Sequence, residues 1–532
     1  MSRTLALGLW LVAASAWASG EDGGLSAEPS EPVEAPPAAS APELESFEPV
    51  KAPPAASPGL ESFEPVNPPL AEAEPVAAPT VQVSGSLQLQ WGVDTGFEEQ
   101  RSDGLSEHVT DARGRASLAT DVKLSPSLRL LVEGRALWRA GAERGLERGK
   151  AFFEPTLGEA FLDLYTSGVD FRVGQQTLAF GANAAFAPTD VLNPRDMRES
   201  LVLTEPEDAK VPVFAARALG EVGPLTVTAA WVPFFVPHRY SVFGQDEALF
   251  QPGLRRGFPL TVDESIEDAL QPHLLETERP EAFPYLGDVG LRATSKVGDV
   301  TVGGSWVWGS EKLPQVRLDP ELDAVLRAQE RGETPDAALL LSVQDRLRAG
   351  ERLVTGRYER QHAFGVEASA LVKTAQLDVD VGFSPEQTFI DEQLRPLRKP
   401  GVTWVLGVSQ AQDSDFIYSV TYLGLAVPGV KAQELLVVLE PGTARGVDRT
   451  AFFHLLVGEA RYTLLDGDVE LGLRGAFEPV QRSFALAPRV SWRIKEWLSV
   501  GLAAEVYAGK PYSPLGYFGR NDQLVGSLRL TL

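Results

Sequence analysis

The chain reads VQVSGSLQLQWGV at residues 81–93, where apolar and polar side chains alternate. In an extended strand Val83 and Leu87 fall on one face, whereas Ser84 and Gln88 fall on the other. A strand of a membrane barrel needs apolar side chains only where it meets lipid, so it has a period of two and no long apolar run. The pattern predicts a lipid-facing β-strand. A strand of a soluble sandwich alternates in the same way, so the rest of the chain must decide.

The same alternation recurs in short runs to the C-terminus and predicts 18 strands. They cover residues 81–94, 108–124, 127–140, 152–165, 168–178, 211–221, 223–235, 284–297, 299–310, 360–373, 375–385, 400–412, 414–426, 451–466, 467–480, 482–495, 497–509 and 522–532. Even-numbered strands end in tight links and odd-numbered strands in longer loops, the longest at 236–283 and 311–359. Short periplasmic turns opposite long external loops are typical of outer-membrane barrels. The predicted fold class is therefore all-β, a transmembrane antiparallel β-barrel of about 18 strands over residues 81–532.

Aromatic side chains lie near the ends of the predicted strands, as the two interfacial girdles of a membrane barrel require. Trp91 and Trp308 close strands that run outward and Trp404 opens a strand that runs inward, which predicts an outer girdle. Tyr165 and Trp492 close inward strands and predict an inner girdle. The aromatic residues and the loop lengths therefore agree on a membrane barrel.

The N-terminus predicts export. Arg3 precedes an apolar stretch at residues 5–15, and Ala16-Trp17-Ala18 has the form of a cleavage site, so residues 1–18 read as a signal peptide. The chain has no cysteine and no later run of about 18 apolar residues, which argues against a disulfide scaffold and against helical membrane spans. These features predict the cell outer membrane, where lipid and lipopolysaccharide would surround the barrel.

Residues 19–80 form a Pro/Ala/Glu-rich segment whose composition predicts a disordered periplasmic linker. It contains an imperfect repeat at 36–50 and 53–66, and each copy has a lone aromatic residue, Phe47 or Phe63. The repeat is interpreted either as a spacer or as a pair of docking motifs for a periplasmic partner, such as a polysaccharide export component. The net charge of −25 argues against nucleic acid as a partner, because nucleic-acid binding needs a basic face.

Charged residues occur on the strand faces opposite the apolar ones. A charge on the lipid face costs about 2–4 kcal/mol near the bilayer midplane, so these residues are predicted to face the lumen. The lumen-facing candidates are Arg113, Arg115, Arg129, Glu133, Arg135, Arg139, Arg172, Arg474, Arg489 and Arg493. Guanidinium donors suit the oxygen atoms of carboxylates and sugars, so this set can guide anionic or hydroxyl-rich solutes. The alternative is a salt-bridged wall that only fills the bore.

The loop at 179–210 contains AFAPTDVLNPRDMRES, in which the prolines fix turns and Thr189-Asp190 can form local side-chain caps. A structured loop after an outward strand predicts a constriction that folds into the bore. The candidates for that constriction are Asp190, Asn193, Arg195 and Asp196. A rigid external loop remains the alternative.

The stretch VGQQTLAFGANAAFAPTDVLNPRD at 173–196 resembles a G-x-Q…G…P-x-D-V-x-N-P-x-D segment of large porin-like outer-membrane proteins of proteobacteria, including barrels of the alginate-export type. The matching positions are Gly174, Gln176, Gly181, Pro188, Asp190, Val191, Asn193, Pro194 and Asp196. The resemblance implies a porin or a polymer-export barrel. This chain departs from the family pattern by ending in Leu532 rather than an aromatic residue, and by its long Pro-rich tail.

The loop at 311–359 predicts a helical hairpin. One helix begins at Pro320 and ends near Gly332, and a second begins after Pro335 and ends near Gly350. Two helices packed on each other over the barrel mouth are the plainer interpretation, and an external lid or partner surface is the other.

Catalytic signals are absent from the sequence. The five histidines are scattered, with no HExxH pair, and there is no G-x-S-x-G motif. The sequence thus predicts no catalytic residue, metal ligand or cofactor, and the chain is not expected to be an enzyme. Two functions follow from the sequence. One is an outer-membrane porin or export channel for hydrophilic solute, with secreted polysaccharide as the favoured cargo. The other is a structural barrel in an envelope-spanning motility or adhesion complex.

Overall fold

The computed structural model of the protein describes part of the chain. The described ranges are residues 79–95, 110–141, 152–183, 185–198, 209–239, 287–330, 333–390, 396–410, 414–432, 434, 447–510, 513–519 and 522–532. The predicted signal peptide at 1–18 and the predicted linker, apart from residues 79 and 80, lie outside these ranges, as do Phe47 and Phe63.

The described ranges contain 20 strands, 18 of which pair into one antiparallel sheet. In chain order the strands are β1 (Thr80–Asp94), β2 (Thr110–Ser125), β3 (Leu128–Gly141), β4 (Phe152–Leu164), β5 (Val169–Gln176), β6 (Val213–Val222), β7 (Leu225–Val232), β8 (Asp288–Val297), β9 (Val300–Ser310), β10 (Gln315–Leu318), β11 (Val354–Arg357), β12 (Arg360–Val372), β13 (Ala375–Ile390), β14 (Pro396–Gln410), β15 (Phe416–Val430), β16 (Arg449–Leu464), β17 (Val469–Glu478), β18 (Ser483–Lys495), β19 (Leu498–Ala508) and β20 (Gln523–Thr531). β10 and β11 pair with each other as a separate hairpin, and β9 pairs with β12. β20 pairs with β1, where Leu530 lies opposite Leu87, so the sheet closes into a barrel.

Large apolar side chains point outward around this barrel. Val83 of β1 is 61% exposed, Phe153 of β4 is 66% exposed and Val366 of β12 is 62% exposed. On the inner face, by contrast, Gln176 and Glu367 are buried. So many exposed apolar side chains would be unfavourable in water but are covered by lipid tails. The exterior is therefore the lipid-facing surface of a transmembrane barrel.

All 18 predicted strands are present, so the predicted fold class is confirmed. The tight links also follow even-numbered strands, as at residues 126–127 after β2 and 223–224 after β6. The alternation of side chains therefore identified every strand of the barrel, and the differences concern where strands end.

The predicted loop at 386–399 is mostly strand. β13 continues to Ile390 and β14 begins at Pro396, beyond a shift in register between Ser384 and Gln387. Pro385 interrupts the pattern because it has no backbone N–H to donate to the ladder. A β-bulge absorbs that irregularity, and pairing resumes beyond it.

The link after β17 is an exception to the rule that odd-numbered strands end in longer loops. The predicted strands 467–480 and 482–495 left only residue 481 between them, and the observed link comprises residues 479–482. The Glu478 carboxylate accepts hydrogen bonds from the backbone N–H groups of Val480 and Gln481, both at 2.7 Å. A side chain that satisfies these two donors stabilises a tight turn without a longer loop.

The chain between β9 and β12 contains both predicted helices, α1 (Pro320–Glu330) and α2 (Ala337–Arg348). The hairpin of β10 and β11 that carries them was not predicted. The buried core of this helical insertion, residues 315–357, is its own: Leu322, Val325, Val343, Leu353 and Val354. Arg346 hydrogen-bonds Asp319 and holds the pKa of that carboxyl below its usual range. No α-helix within the described ranges is long and apolar enough to cross a membrane.

Because the helical insertion has a separate core, we expect the barrel to fold without it. Arg317 and Thr355 are paired across β10 and β11, so an Asn-Gly turn can replace residues 318–354 and close the hairpin. The shortened protein should keep the heat-modifiable gel mobility and the melting temperature of the intact barrel, to within a few degrees. Failure of the shortened chain to reach the folded gel form would contradict this expectation.

Candidate pore and inner loop

The chain between β5 and β6, residues 177–212, folds against the inner face of the barrel, and we call it the inner loop. Residues 184 and 199–208 of it lie outside the described ranges. The loop begins beside a bulge in β4, where the Glu159 carboxylate accepts a hydrogen bond from the Thr177 backbone N–H at 2.7 Å. The bulge thus directs a strand carboxylate at the point where the loop leaves the barrel wall.

Asn193 joins the beginning of the inner loop to its end. Its Oδ1 accepts a hydrogen bond from the Leu178 N–H at 2.8 Å, and its Nδ2 donates to the Val211 carbonyl at 3.0 Å. The Val211 N–H in turn donates to the carbonyl of Pro194 at 2.8 Å. Asn193 is buried and bonded at both ends of its amide, so its role is to close the loop.

The underside of the inner loop is apolar and packs on the barrel wall. One buried cluster combines Leu178, Phe180 and Leu192 of the loop with Val213, Ala215, Ala230, Val232, Val307 and Ala363 of β6, β7, β9 and β12. These wall residues are inward-facing, so the hydrophobic core lies inside the barrel. Burial of this kind stabilises the docked loop by about 1.5–3 kcal/mol for each large side chain.

Polar contacts hold the tip of the loop to the far part of the same wall. Asp380 of β13 accepts hydrogen bonds from the backbone N–H groups of Ala182 and Asn183, both at 2.8 Å. Arg292 of β8 donates to the Gly181 carbonyl at 3.1 Å and forms an ion pair with Glu367. The inner loop therefore crosses from β5 to β13 along the inside of the barrel.

A buried ion pair lies within the inner loop. The Lys210 Nζ is 2.5 Å from Asp190 Oδ2, and both side chains are almost completely buried. Arg195 approaches the same carboxylate to 4.0 Å and donates from Nη2 to the Ala185 carbonyl at 2.9 Å. Burial lowers the pKa of Arg195, and Asp190 opposes that shift. The loop thus contains its own charged core beside the apolar one.

The four constriction candidates occupy two places. Asp190, Asn193 and Arg195 lie in the buried interior of the inner loop, as described above. Asp196 lies at its margin, where Arg198 bridges it at 2.6 Å to Glu154 of β4 at 2.9 Å. Three of the four side chains therefore support the loop from within, and Asp196 links it to the wall.

One row of inward-facing residues, which pair from each strand to the next, is charged on some strands and apolar on others. On β2 to β6 this row is Lys123, Arg129, Asp163, Arg172 and Arg217. On β7, β8, β9 and β12 it continues as Ala230, Gly290, Val307 and Ala363. The inner loop packs on the small apolar half, and the charged half lies mainly on strands that precede the loop in the sequence.

The charged half of the row, with Asp121 beside it, is tightly bonded. Arg129 donates to both carboxylate oxygens of Asp121, at 3.0 and 2.7 Å. Arg172 donates to both oxygens of Asp163, at 2.6 and 3.0 Å. Arg217 lies opposite Arg172 on the neighbouring strand. Bidentate pairs of this kind fix the planes of the guanidinium groups.

A second charged group lies on β16, β17 and β18. The Glu459 carboxylate accepts from Arg474 at 2.6 Å and from Arg489 at 2.8 Å, and it also bonds Arg461. Arg493 lies nearer the end of β18 and pairs with Asp468 at 3.2 Å. One carboxylate thus collects three guanidinium groups on the inner wall.

The remaining lumen candidates lie on β2 and β3. Arg135 donates to both oxygens of Glu133, at 2.7 and 2.8 Å. Arg113 and Arg139 are directly opposite each other in the ladder, and Arg115 follows on the same face of β2. The candidates are therefore grouped on β2–β5 and β17–β18 rather than spread around the barrel.

Sequence reasoning missed several residues that build this interior, among them Glu159, Lys210, Arg217, Asp380 and Glu459. The signal for Asp380 was present, because DVDV at 378–381 alternates charge with apolar side chains. The sequence did not indicate which residues Asp380 would bind. Neither the bulge beneath Glu159 nor the path of the inner loop follows from local patterning.

No protein-family model matches the chain, and no curated protein sequence matches it. Among solved structures the chain is similar to OccK9 (OpdG) of Pseudomonas aeruginosa, with 12% identity and a TM-score of 0.42, over 85% of this chain and 97% of that one. It is also similar to OccK2 (OpdF) of the same organism in complex with glucuronate, with 8% identity and a TM-score of 0.41, over 85% and 97%. The chain is also similar to OmpF of Salmonella typhi, with 8% identity and a TM-score of 0.39, over 85% of this chain and 97% of that one. These neighbours are outer-membrane barrels, and the fold of the present chain rests on its own strand pairing.

Proposed function

We propose that the protein is an outer-membrane pore for hydrophilic solutes, and that the inner loop forms its constriction. The observation that carries the proposal is the path of the loop, bonded to Glu159 at its start and to Asp380 at its tip. A loop fixed along the inside of a barrel narrows the bore without closing the strands around it. The polar part of the inner wall that the loop leaves uncovered then serves as the path for solute.

We further propose that the pore favours anions. Lys123, Arg129, Arg172 and Arg217 lie on the charged row, and the carboxylates that act on them are Asp121, Asp163 and Glu159. Four cationic side chains with three carboxylates leave a net positive charge in this group. A positive lining raises the local concentration of anionic solutes.

Secreted polysaccharide is the cargo we propose to test first, since guanidinium groups bind the carboxylate and hydroxyl oxygens of such polymers. A fixed inner loop favours short solutes, so small sugar acids are the second choice. The alternative from the sequence, a structural barrel without conduction, is separated from both by the same measurement.

The test is single-channel recording of the refolded full-length mature protein in a planar bilayer, with polysaccharides and small sugar acids added as blockers. We expect discrete conductance steps, a reversal potential on the anion side, and block by the solute that the pore accepts. A folded protein that gives no steps in any salt would overturn the pore and favour the structural barrel.

Substitution of one arginine tests the anion preference. We expect Arg217→Gln to lower the ratio of anion to cation permeability by about two- to fourfold, because a charge ~10 Å from an ion in water contributes ~0.4 kcal/mol. Arg348→Gln is the matched control, since Arg348 lies on α2 and its side chain is 75% exposed. Equal reversal potentials for both variants would contradict an anion-selective role of the row.

Partner binding by the tail stays a proposal from sequence alone. We propose that the LESFEPV repeats bind a periplasmic partner through Phe47 and Phe63. A photo-reactive residue at either position should cross-link one common protein in cells. The same residue placed at Ala39 or Ala56, outside the LESFEPV motif of each copy, is the control and should not cross-link that protein. Cross-linking to many unrelated proteins would contradict the docking motifs and favour the spacer interpretation of the repeat.

A further inference from the structure

Three segments meet at His238, in the chain between β7 and β8. The His238 backbone N–H donates to the Lys312 carbonyl at 3.0 Å, and its Nδ1 accepts a hydrogen bond from the Arg195 backbone N–H at 2.7 Å. Arg239 then donates its N–H to the Arg195 carbonyl at 2.9 Å, and Met197 donates to the Arg239 carbonyl at 2.8 Å. A short bridge thus joins residues 195–197 of the inner loop to residues 238–239.

The imidazole can accept this hydrogen bond only while Nδ1 is unprotonated. Burial is the main cause that lowers the pKa of His238, to about 3, and the charges of Arg195 and Lys312 lower it further. Lys312 is itself bonded to the buried Asp288 and lies over the ring of Phe235. The surroundings therefore already contain two cations, and a third would be unfavourable.

The other charged groups at the junction are already engaged. Arg195 is 4.0 Å from Asp190, and Asp196 is bridged by Arg198. Arg239 pairs with Glu154 of β4 at 3.1 Å and lies 3.8 Å from Asp196. Each of these carboxylates already faces a cation, so a proton on His238 would meet positive charge from the inner loop and from residue 312.

We propose that His238 is an acid-sensitive latch for the inner loop, and that its protonation releases residues 195–197 from residues 238–239. The regulatory consequence rests on the proposed function, because a released loop alters the constriction of a pore. Protonation turns Nδ1 from an acceptor into a donor that faces the Arg195 N–H. Two opposed donors and a third positive charge then disfavour the docked arrangement.

The direction with pH follows from linkage. A released imidazole titrates near its ordinary pKa of 6.5, whereas the docked one titrates near 3. Between these values the released form binds a proton that the docked form does not, so docking is strongest above 6.5 and weakens as the pH falls. At pH 4.5 the equilibrium should shift toward release by about 100-fold relative to neutral pH.

The absence of cysteine from the chain permits a direct test. Met197→Cys places a single thiol on the bridge, and its reaction with a methanethiosulfonate reagent in the folded full-length protein reports release. The substitution His238→Asn supplies an acceptor oxygen that does not titrate and serves as the matched background. The reagent attacks the thiolate, and the thiolate fraction falls in acid in both backgrounds, so the two labelling rates are compared as a ratio at each pH. We expect the rate with His238, divided by the rate in the His238→Asn background, to be at least about tenfold higher at pH 4.5 than at pH 7. An equal pH response in the two backgrounds would overturn the latch.

Conductance recorded on the same proteins separates this inference from the proposed function. If acid raises the ratio of labelling with His238 to labelling with His238→Asn but leaves the current unchanged, the latch stands and the inner loop is not the constriction. If the current responds to acid equally with histidine and asparagine, the latch is wrong and another group senses pH. Heat-modifiable gel mobility at each pH confirms that the barrel is folded in both.

Discussion

Replacing Asp190 with alanine should release the inner loop from the barrel wall. The substitution leaves the Lys210 ammonium buried and without the carboxylate that lies 2.5 Å from it. Removing one partner of a buried ion pair costs about 3–5 kcal/mol, because the remaining charge stays desolvated. The barrel strands do not depend on this pair, so the cost falls on docking of the loop.

Limited proteolysis measures that cost. When opening is fast, cleavage of a folded protein follows the population of the open form, so trypsin should cut within the inner loop more than about 100-fold faster in the variant. Heat-modifiable mobility on gels checks that the barrel itself is intact. A cleavage rate like that of the unmodified protein would mean that the ion pair does not hold the loop.

A paired replacement provides the control. Asp190→Leu together with Lys210→Met removes both charges and fills the same space with apolar side chains. Exchange of a buried ion pair for apolar residues of similar volume is often neutral or stabilising. Arg195 also loses a carboxylate at 4.0 Å in this variant, but its side chain is 25% exposed and keeps its hydrogen bond to the Ala185 carbonyl. The double variant should therefore regain most of the resistance to trypsin, whereas general damage to the loop would leave it as sensitive as the single variant.

The strands were predictable because the pattern of a membrane-barrel strand is local. Each lipid-facing position must be apolar whatever its neighbours are, so Val83 and Val366 indicate their face without knowledge of the rest of the fold. The tight turns were predictable because they too depend on a few adjacent residues. Where prediction missed, at Pro385 and Glu478, one side chain changed the hydrogen bonding of the backbone around it.

The interior was less predictable, because its contacts join distant parts of the chain. The loop at 179–210 was predicted to be structured, yet nothing in its sequence names Asp380 as the partner of Ala182 or Ser305 as the partner of Thr189. The sequence also does not reveal that the row of inward-facing residues changes from arginine on β6 to small apolar residues on β7. That division follows from strand register, which parity alone does not fix.

The division of the wall has an energetic consequence. The inner loop needs a surface of small residues, and β7 to β12 supply it with Ala230, Gly290 and Ala363. The buried apolar cluster takes no residue from β2 to β5 within the described ranges, and β6 contributes to it ahead of Arg217 in the strand. The docking surface and the charged row are thus separate parts of one wall, so a substitution on the docking surface should leave the side chains of the charged row in place.

Gly290→Val tests the docking surface and should displace the inner loop while the barrel still closes. A Cβ at position 290 would lie 2.7 Å from Phe180 and 2.8 Å from Leu192, nearer than carbon atoms approach. Both side chains are almost completely buried and have no free space to move into, so overpacking should cost about 1–3 kcal/mol or more. Single-channel recordings should show a changed or fluctuating conductance, and trypsin should cut the inner loop more readily.

Gly304→Val is the matched control. Gly304 lies on β9, and the nearest atom to a new Cβ there is the Gly365 carbonyl oxygen at 3.6 Å. A β-branched residue also suits a strand. If both variants conduct alike, the loop does not depend on close packing at Gly290, and the apolar cluster does not set the constriction.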